Sequence, residues 1–246
     1  MYLNNGDVLE LSVVIPCYNE EKRIENTIKA ISNYLISKKY LFEIIVIDDA
    51  SKDNSVFLLK NKNFKKLKIL KNKLNMGKGY SVRKGILNAK YSAVLFSDAD
   101  LATPIEELEN MVKYLKQKYD IVIASRNMAE SKILTHQPYY RILMGKIFVS
   151  LVKFIAIKEF EDTQCGFKLF KTNVAKRIFK LQTRNRFSFD VEVLYIAQKH
   201  KYKVKEVPVK WINKEGSTVS PIKDSIRMFK DLLIIRFNDL RKRYNY

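Results

Sequence analysis

Cysteine and histidine are scarce: two of each in 246 residues. Cys17 and Cys165 lie far apart, which excludes a disulfide framework and a clustered zinc site and points to a reducing compartment. His136 and His200 have no partners at metal-ligand spacing and read as incidental. No uncharged apolar run approaches the ~20 residues that span a bilayer, so the chain is expected not to cross one. MYLNNGDVLELSVVIP at the N-terminus lacks the charged-then-apolar pattern of a secretory signal. There are only seven glycines, and NMGKG (75–79) does not match the phosphate loop G-x-x-x-x-G-K-[ST]; it reads as a turn entering a helix. Internal repeats, low-complexity segments and Pro/Gly-rich linkers are missing, so one domain is expected over 1–246.

Acid is also short. Against 46 Lys+Arg stand 26 Asp+Glu, a net charge of +20. That field favours anionic partners: nucleotides, acidic lipid head groups or nucleic acid. Solvated lysine faces are the plainer reading.

What is present is alternation. Val13–Ile15, stopped by Pro16, reads as a strand, as do 42–47, 67–70, 93–97 and 121–124. Helical spacing falls at 20–37, 53–60, 77–89 and 104–118. This rhythm predicts an α/β fold with a mostly parallel sheet flanked by helices, whose ligands bind at the strands' carboxyl ends. The rhythm stops near 126. Residues 141–157 are dominated by large apolar side chains. In 221–243, Ile222, Ile226, Phe229 and Leu233 form one stripe and Lys223, Arg227 and Lys230 another. Both segments fit helices lying in a membrane interface. Core helices and oligomer contacts share that pattern.

SDADLATP (97–104) ends a buried strand with two carboxylates one residue apart. In an extended segment Asp98 and Asp100 share a face, while Thr103, Pro104 and Glu106 predict a helix start with a capping box. Two such carboxylates need a cation, and Mg²⁺ or Mn²⁺ completed by substrate phosphates suits them. An Asx-capped turn with a solvated second aspartate is the alternative. Two further clusters, PCYNEE (16–21) and DDASKDNS (48–55), end the first two strands, so a parallel sheet gathers all three into one crevice. There Tyr18 is placed to stack on a nucleobase, and Asp49 to accept a base or ribose hydrogen bond.

P-x-Y-N-E, D-D-x-S-x-D and D-A-D in this order resemble the family 2 glycosyltransferases of the GT-A fold, over nearly the whole chain. Ser125-Arg126, DTQCGFKLF (162–170), FSFDVEVL (187–194), VKEVPVKW (204–211) and GST (216–218) resemble the dolichyl-phosphate glucosyltransferase branch. The related mannosyl enzymes tend to carry glutamine and histidine where this chain has Ala102 and Thr103. The resemblance implies an inverting transfer of a hexose from a nucleoside-diphosphate sugar to a polyprenyl or dolichyl phosphate. UDP-glucose is the first donor and GDP-mannose the second. It implies a nucleotide-sugar half at about 9–126, an acceptor half at about 127–220 and an amphipathic helix at about 221–246. Donor contacts then fall on Pro16, Tyr18, Glu20, Ile47, Asp49, Lys78, Asp98, Ala99 and Asp100, with metal on Asp98 and Asp100. Acceptor-phosphate contacts fall on Arg126, Lys168, Arg141 and Lys214. Asp190 is read as catalytic, acting either as a base for a hydroxyl acceptor or, preferred here, as an orienting group for Arg126 or Lys168; Asp162 is read in the same orienting way. Trp211 reads as core. The expected setting is peripheral, on the cytoplasmic face of a membrane, with a homo-oligomer open. A transferase acting on a saccharide or protein hydroxyl would need Asp190 as a true base. A nucleic-acid binder would show a steep salt dependence and no need of the aspartates.

Overall fold

The computed structural model describes residues 9–62, 64–135, 139–214 and 221–245, without the side chains of 139–143, 146 and 221–224. The first half alternates: β1 (Glu10–Cys17), α1 (Ile24–Ser37), β2 (Leu41–Asp48), α2 (Ser55–Asn61), β3 (Leu67–Lys71), α3 (Lys78–Asn88) and β4 (Ala93–Ser97). A 3-10 turn (Ile105–Glu107) leads into α4 (Leu108–Lys116) and β5 (Ile121–Ser125). Then follow β6 (Lys132–Thr135), α5 (Tyr139–Ile155), β7 (Phe167–Lys171), α6 (Thr172–Leu181), α7 (Phe189–Lys199), β8 (Val204–Pro208), β9 (Lys210–Ile212) and α8 (Pro221–Leu240).

Seven strands form one sheet in the order β3-β2-β1-β4-β7-β5-β8, while β6 and β9 pair separately. All its neighbours are parallel except β7, which runs antiparallel to both β4 and β5. That reversal matters for the site. Phe167 opens β7 opposite Ser97, the last residue of β4, so the 162–166 loop arrives at the carboxyl ends of the parallel strands. The order also reverses at β1 and β4, where open α/β sheets place their ligands.

The central strands are buried on both faces, as parallel sheets require. Val14, Ile45, Ile47, Val94, Phe96, Ile121 and Phe170 share one core with α3, α6 and α7. Val13, Ile15, Ile44, Val46, Leu95, Val122 and Leu169 share the other with α1 and α4. Each such side chain contributes about 1.5–3 kcal/mol on burial. α5 and α8 pack on the first of these cores: Phe148 and Val152 of the first helix, and Met228, Leu232 and Ile235 of the second, belong to it.

Two local expectations change. β1 runs through Pro16 to Cys17 rather than stopping at the proline. Pro16 pairs with Ile47, beyond the end of the β1–β4 ladder at Val14 and Phe96, where its missing N–H costs no strand pairing. The capping box is not formed. The turn begins at Ile105 after Pro104 with no side-chain cap, and the Thr103 hydroxyl, buried, instead lies 3.5 Å from Cys165 Sγ.

Candidate active site

The loops after β1 and β2 are bonded to each other. Asn19, with φ of +56°, donates its N–H to Ser51 Oγ, and its side-chain oxygen accepts from Lys52 N–H. Glu20 N–H reaches Ser55 Oγ and Glu21 N–H reaches Asp53 Oδ2. Against burial, the Ser55 hydroxyl, the Glu21 N–H and the Ser55 N–H hold the Asp53 carboxyl below its usual range. The two polar clusters are thus one scaffold, from which half-buried Tyr18 projects.

Asp49 is buried and holds the next loop. Its Oδ1 accepts from Asn72 Nδ2 at 2.7 Å and Met76 N–H at 2.9 Å, and its Oδ2 from Gly77 N–H at 2.8 Å. Gly77 has φ of +98°, and a Cβ there would lie 2.5 Å from Asn185 O; only glycine makes this turn without strain. The turn delivers Lys78 into the crevice, as the reading of NMGKG as a helix entrance requires. Ile47 could meet a donor only through its backbone. Its side chain is fully buried in the core against α3, where its Cδ1 would meet a Cβ on Gly85 at 2.6 Å, so that side chain faces away from a donor.

Asp98 and Asp100 do share a pocket, with Ser97, Arg126, Gln164, Gly166 and Trp211 on its walls. They reach it through a turn, not through strand alternation: β4 ends at Ser97, Leu101 has φ of +47°, and Asp100 Oδ1 accepts the Ala102 N–H at 3.0 Å. Thr27 Oγ donates to Ala99 O at 2.6 Å and pins the turn to α1. That leaves Ala99 in a backbone role, its side chain buried. Asp98 donates its N–H to Gly166 O, and a Cβ on Gly166 would fall 1.9 Å from Asp98 Oδ2. Lys78 Nζ stands 2.7 Å from Asp98 Oδ1. Burial lowers the Lys78 pKa, but Asp98 and Asp190 outweigh it and the net shift is upward. Burial, then the charge of Asp98, raise the Asp100 carboxyl. Glu20 is raised by burial, moderated by its ion pair with Arg23, and Arg23 is raised by Glu20, Asp100 and Asp98 against its own burial.

Arg126 is held by Asp162. Nε donates to Oδ2 at 2.6 Å and Nη2 to Oδ1 at 2.9 Å, while the Arg126 N–H also reaches Oδ2. Asp162, though buried, is lowered to about 2 by this guanidinium. The Arg126 guanidinium lies 5.7 Å from the Trp211 ring centroid. Trp211 therefore lines the pocket, which corrects its reading as core. Asp162 and Asp190 both have orienting geometry, but for different partners. Lys168 Nζ binds Asp190 Oδ1 and, at 2.7 Å, Cys165 O. Lys168 is 1% and Asp190 3% exposed, so Lys168 is corrected from a phosphate contact to a support beneath the site. Lys78 and Lys168 both face the Phe96 ring, at 5.4 and 5.7 Å. Lys214 is exposed, two residues past β9. The side chain of Arg141, the structure of His136 and the GST of 216–218 lie outside the described residues.

Four contributors were missed in the sequence: Arg23, Thr27, Gly166 and Trp211. Arg23 carries a local signal, three residues after Glu20 in the turn that leads into α1. Gly166 sits inside the quoted DTQCGFKLF. Thr27 and Trp211 depend on contacts distant in sequence.

Asp98 and Asp100 offer hard oxygen ligands whose mutual repulsion a divalent cation would relieve, and this chemistry fits Mg²⁺ or Mn²⁺. Among the described residues no cluster of three or more His, Cys, Asp or Glu side chains is placed to hold a metal. Two carboxylates with substrate phosphates supplying further oxygens match that donor set.

Known proteins resemble this chain in sequence and in fold. The family model "Glycosyl transferase family 2" matches residues 12–179. Dolichyl-phosphate β-glucosyltransferase of Dictyostelium discoideum is 36% identical over 96% of this chain and 77% of its own length. The Homo sapiens protein of the same description is 37% identical over 94% and 76%. The crystal structure of glucosyl-3-phosphoglycerate synthase from Mycobacterium tuberculosis in complex with Mn²⁺, UDP and glucosyl-3-phosphoglycerate shares the fold with a TM-score of 0.67 at 16% identity, over 94% of this chain and 79% of that one. The fold is GT-A, and the chain is a glycosyltransferase belonging to family 2.

Proposed function

We propose that this enzyme transfers glucose from UDP-glucose to dolichyl phosphate or a related polyprenyl phosphate, with inversion at the anomeric carbon. The observation that carries the reading is the placement of Arg126, oriented by Asp162, in one pocket with Asp98 and Asp100. The relatives' shared description supports the sugar and the acceptor.

The reaction must manage charge. The donor diphosphate gains negative charge as it leaves, and the incoming phosphate is negative already. Asp98 and Asp100 would hold a divalent cation, which would supply charge neutralisation to the leaving diphosphate. Lys78, paired with Asp98, adds a positive charge on the same side. Arg126 meets a phosphate with a fixed guanidinium, a geometry suited to paired oxygens. Tyr18 and the Asp49-held loop receive the nucleoside. An acceptor phosphate is ionised at neutral pH and needs no strong base. Asp190, buried and paired to Lys168, acts as a positioning residue in this reading. This favours phosphate over hydroxyl acceptors. A lipid phosphate places the enzyme at a membrane surface; the free cysteines accord with its cytoplasmic face. Among the described residues no helix is long and apolar enough to cross a membrane.

The test is transfer from radiolabelled UDP-glucose or GDP-mannose to a short polyprenyl phosphate with Mg²⁺ or Mn²⁺, counting label extracted into organic solvent. Lipid label from UDP-glucose alone is expected, and Asp100→Asn abolishes it. Label from GDP-mannose alone overturns the donor. No lipid label from either overturns the acceptor and makes Asp190 the next residue to test.

A further inference from the structure

α8 has two apolar faces. One is buried: Met228, Leu232 and Ile235. The other is exposed: Ile226 at 55%, Phe229 at 38%, Leu233 at 50%, Phe237 at 49% and Leu240 at 78%. At about 100° per residue these five lie within an arc of about 80°. Exposed Lys230, Arg241 and Arg227 flank one side of the arc, while Arg236 on the other side turns its Nη1 to the Tyr195 hydroxyl at 2.7 Å. The acids are sorted the other way. Asp231 turns to Arg184, and Asp239 to Lys199 and Tyr195. On α5, Ile147 and Phe154 repeat the theme, seven residues apart, with Phe154 86% exposed.

We propose that this outer face of α8 docks on an anionic lipid bilayer, with the five apolar side chains in the acyl boundary and the flanking bases at the head groups. Charge complementarity selects this occupant. An isologous contact between two copies through the face would bring its basic flanks against one another, whereas an acidic leaflet meets them with opposite sign, as the net charge of +20 also favours. The proposal deepens the lipid-phosphate reading and rests on it. α8 is also joined to the wall of the catalytic crevice. Arg184 bonds Asp231, and Asn238 Nδ2 donates to Thr183 Oγ. Buried Glu192 accepts from the Thr183 and Arg184 N–H groups and from the Tyr244 hydroxyl. The same segment carries Asn185 and Arg186, which pack on Gly77 and Gly79 either side of Lys78. The docked helix therefore sets the orientation of the crevice to the membrane.

The test is flotation of the full chain with phosphatidylcholine vesicles, with and without phosphatidylserine, lacking any polyprenyl phosphate. The wild type is expected to float with the anionic vesicles and to lose binding in high salt. Phe229→Ser/Leu233→Ser/Phe237→Ser should weaken binding about tenfold or more, while turnover of a short, water-soluble isoprenyl phosphate stays within about twofold. Lys230→Glu/Arg241→Glu, surface changes that leave the buried face intact, should weaken binding to anionic vesicles only. Asp100→Asn should float like the wild type, so a failed glucosyl assay and a failed docking assay are separate results. A wild type that stays at the bottom of the gradient, or variants of both kinds that float unchanged, overturns the proposal. So does light scattering that finds a dimer which the triple variant splits into monomers.

Discussion

Lys78 Nζ lies 2.7 Å from Oδ1 of Asp98, so a lysine neutralises the carboxylate that a divalent metal would also seek. A metal held there would compete with the lysine for one oxygen until a diphosphate arrived to take the lysine. Lys78→Gln should therefore bind Mn²⁺ more tightly than the wild type when nucleotide is absent, as read by electron paramagnetic resonance. It should still lose about 10²-fold in kcat/KM for UDP-glucose, the cost of one missing charge-directed donor.

Asp100 is the electrostatically strained member of the pair, its carboxyl raised by burial and by Asp98. A carboxyl raised in the folded state opposes folding above its folded pKa, and that cost disappears as pH falls through it. Asp100→Asn removes the cost at neutral pH. The metal-free variant should melt above wild type at neutral pH, and the difference should shrink as pH falls. Added Mn²⁺ should stabilise the wild type and leave the variant unchanged, in the same calorimetric series.

Gly166 is required for space, since a Cβ would meet the Asp98 carboxylate at 1.9 Å. Gly166→Ala should push that carboxylate aside and lower kcat by about 10²-fold, because displacement of about 1 Å has that effect on a positioned group. Fold and melting temperature should change little. Circular dichroism beside steady-state rates checks this.

Asp162 is held at about 2 by Arg126. A depressed carboxyl contributes stability that is complete above its unfolded value near 4 and is lost as pH falls through about 2. The pair should supply on the order of 2 kcal/mol at neutral pH. Asp162→Asn should lower the urea midpoint at pH 7, and the gap to wild type should narrow by pH 3 and close below pH 2.

The parallel sheet was legible because runs such as Phe42–Ile47 and Ala93–Ser97 are apolar on both faces, and the polar clusters fall where those runs end. Asp98 and Asp100 follow from that placement, whereas Arg126 follows from the resemblance to the family 2 glycosyltransferases. Other features depended on the reversal of β7. Nothing local in DTQCGFKLF says that its strand runs against its neighbours, so Gly166 beneath Asp98 and the burial of Lys168 could not be read. Trp211 was misjudged because a short second sheet, β6 with β9, carries it to Arg126. The stripe on α8 was visible through Ile226, Phe229 and Leu233, but a sequence pattern does not distinguish an outward apolar face from an inward one; burial of Met228, Leu232 and Ile235 did.

The central claim is that glucose is delivered to a phosphate oxygen. Proton and phosphorus NMR of the lipid product from UDP-glucose and a short polyprenyl phosphate tests it most directly. The account predicts a phosphodiester with the anomeric proton coupled to phosphorus and in the β configuration. A lipid monophosphate signal that persists unchanged while UDP-glucose is consumed, or an α-linked product, would contradict it.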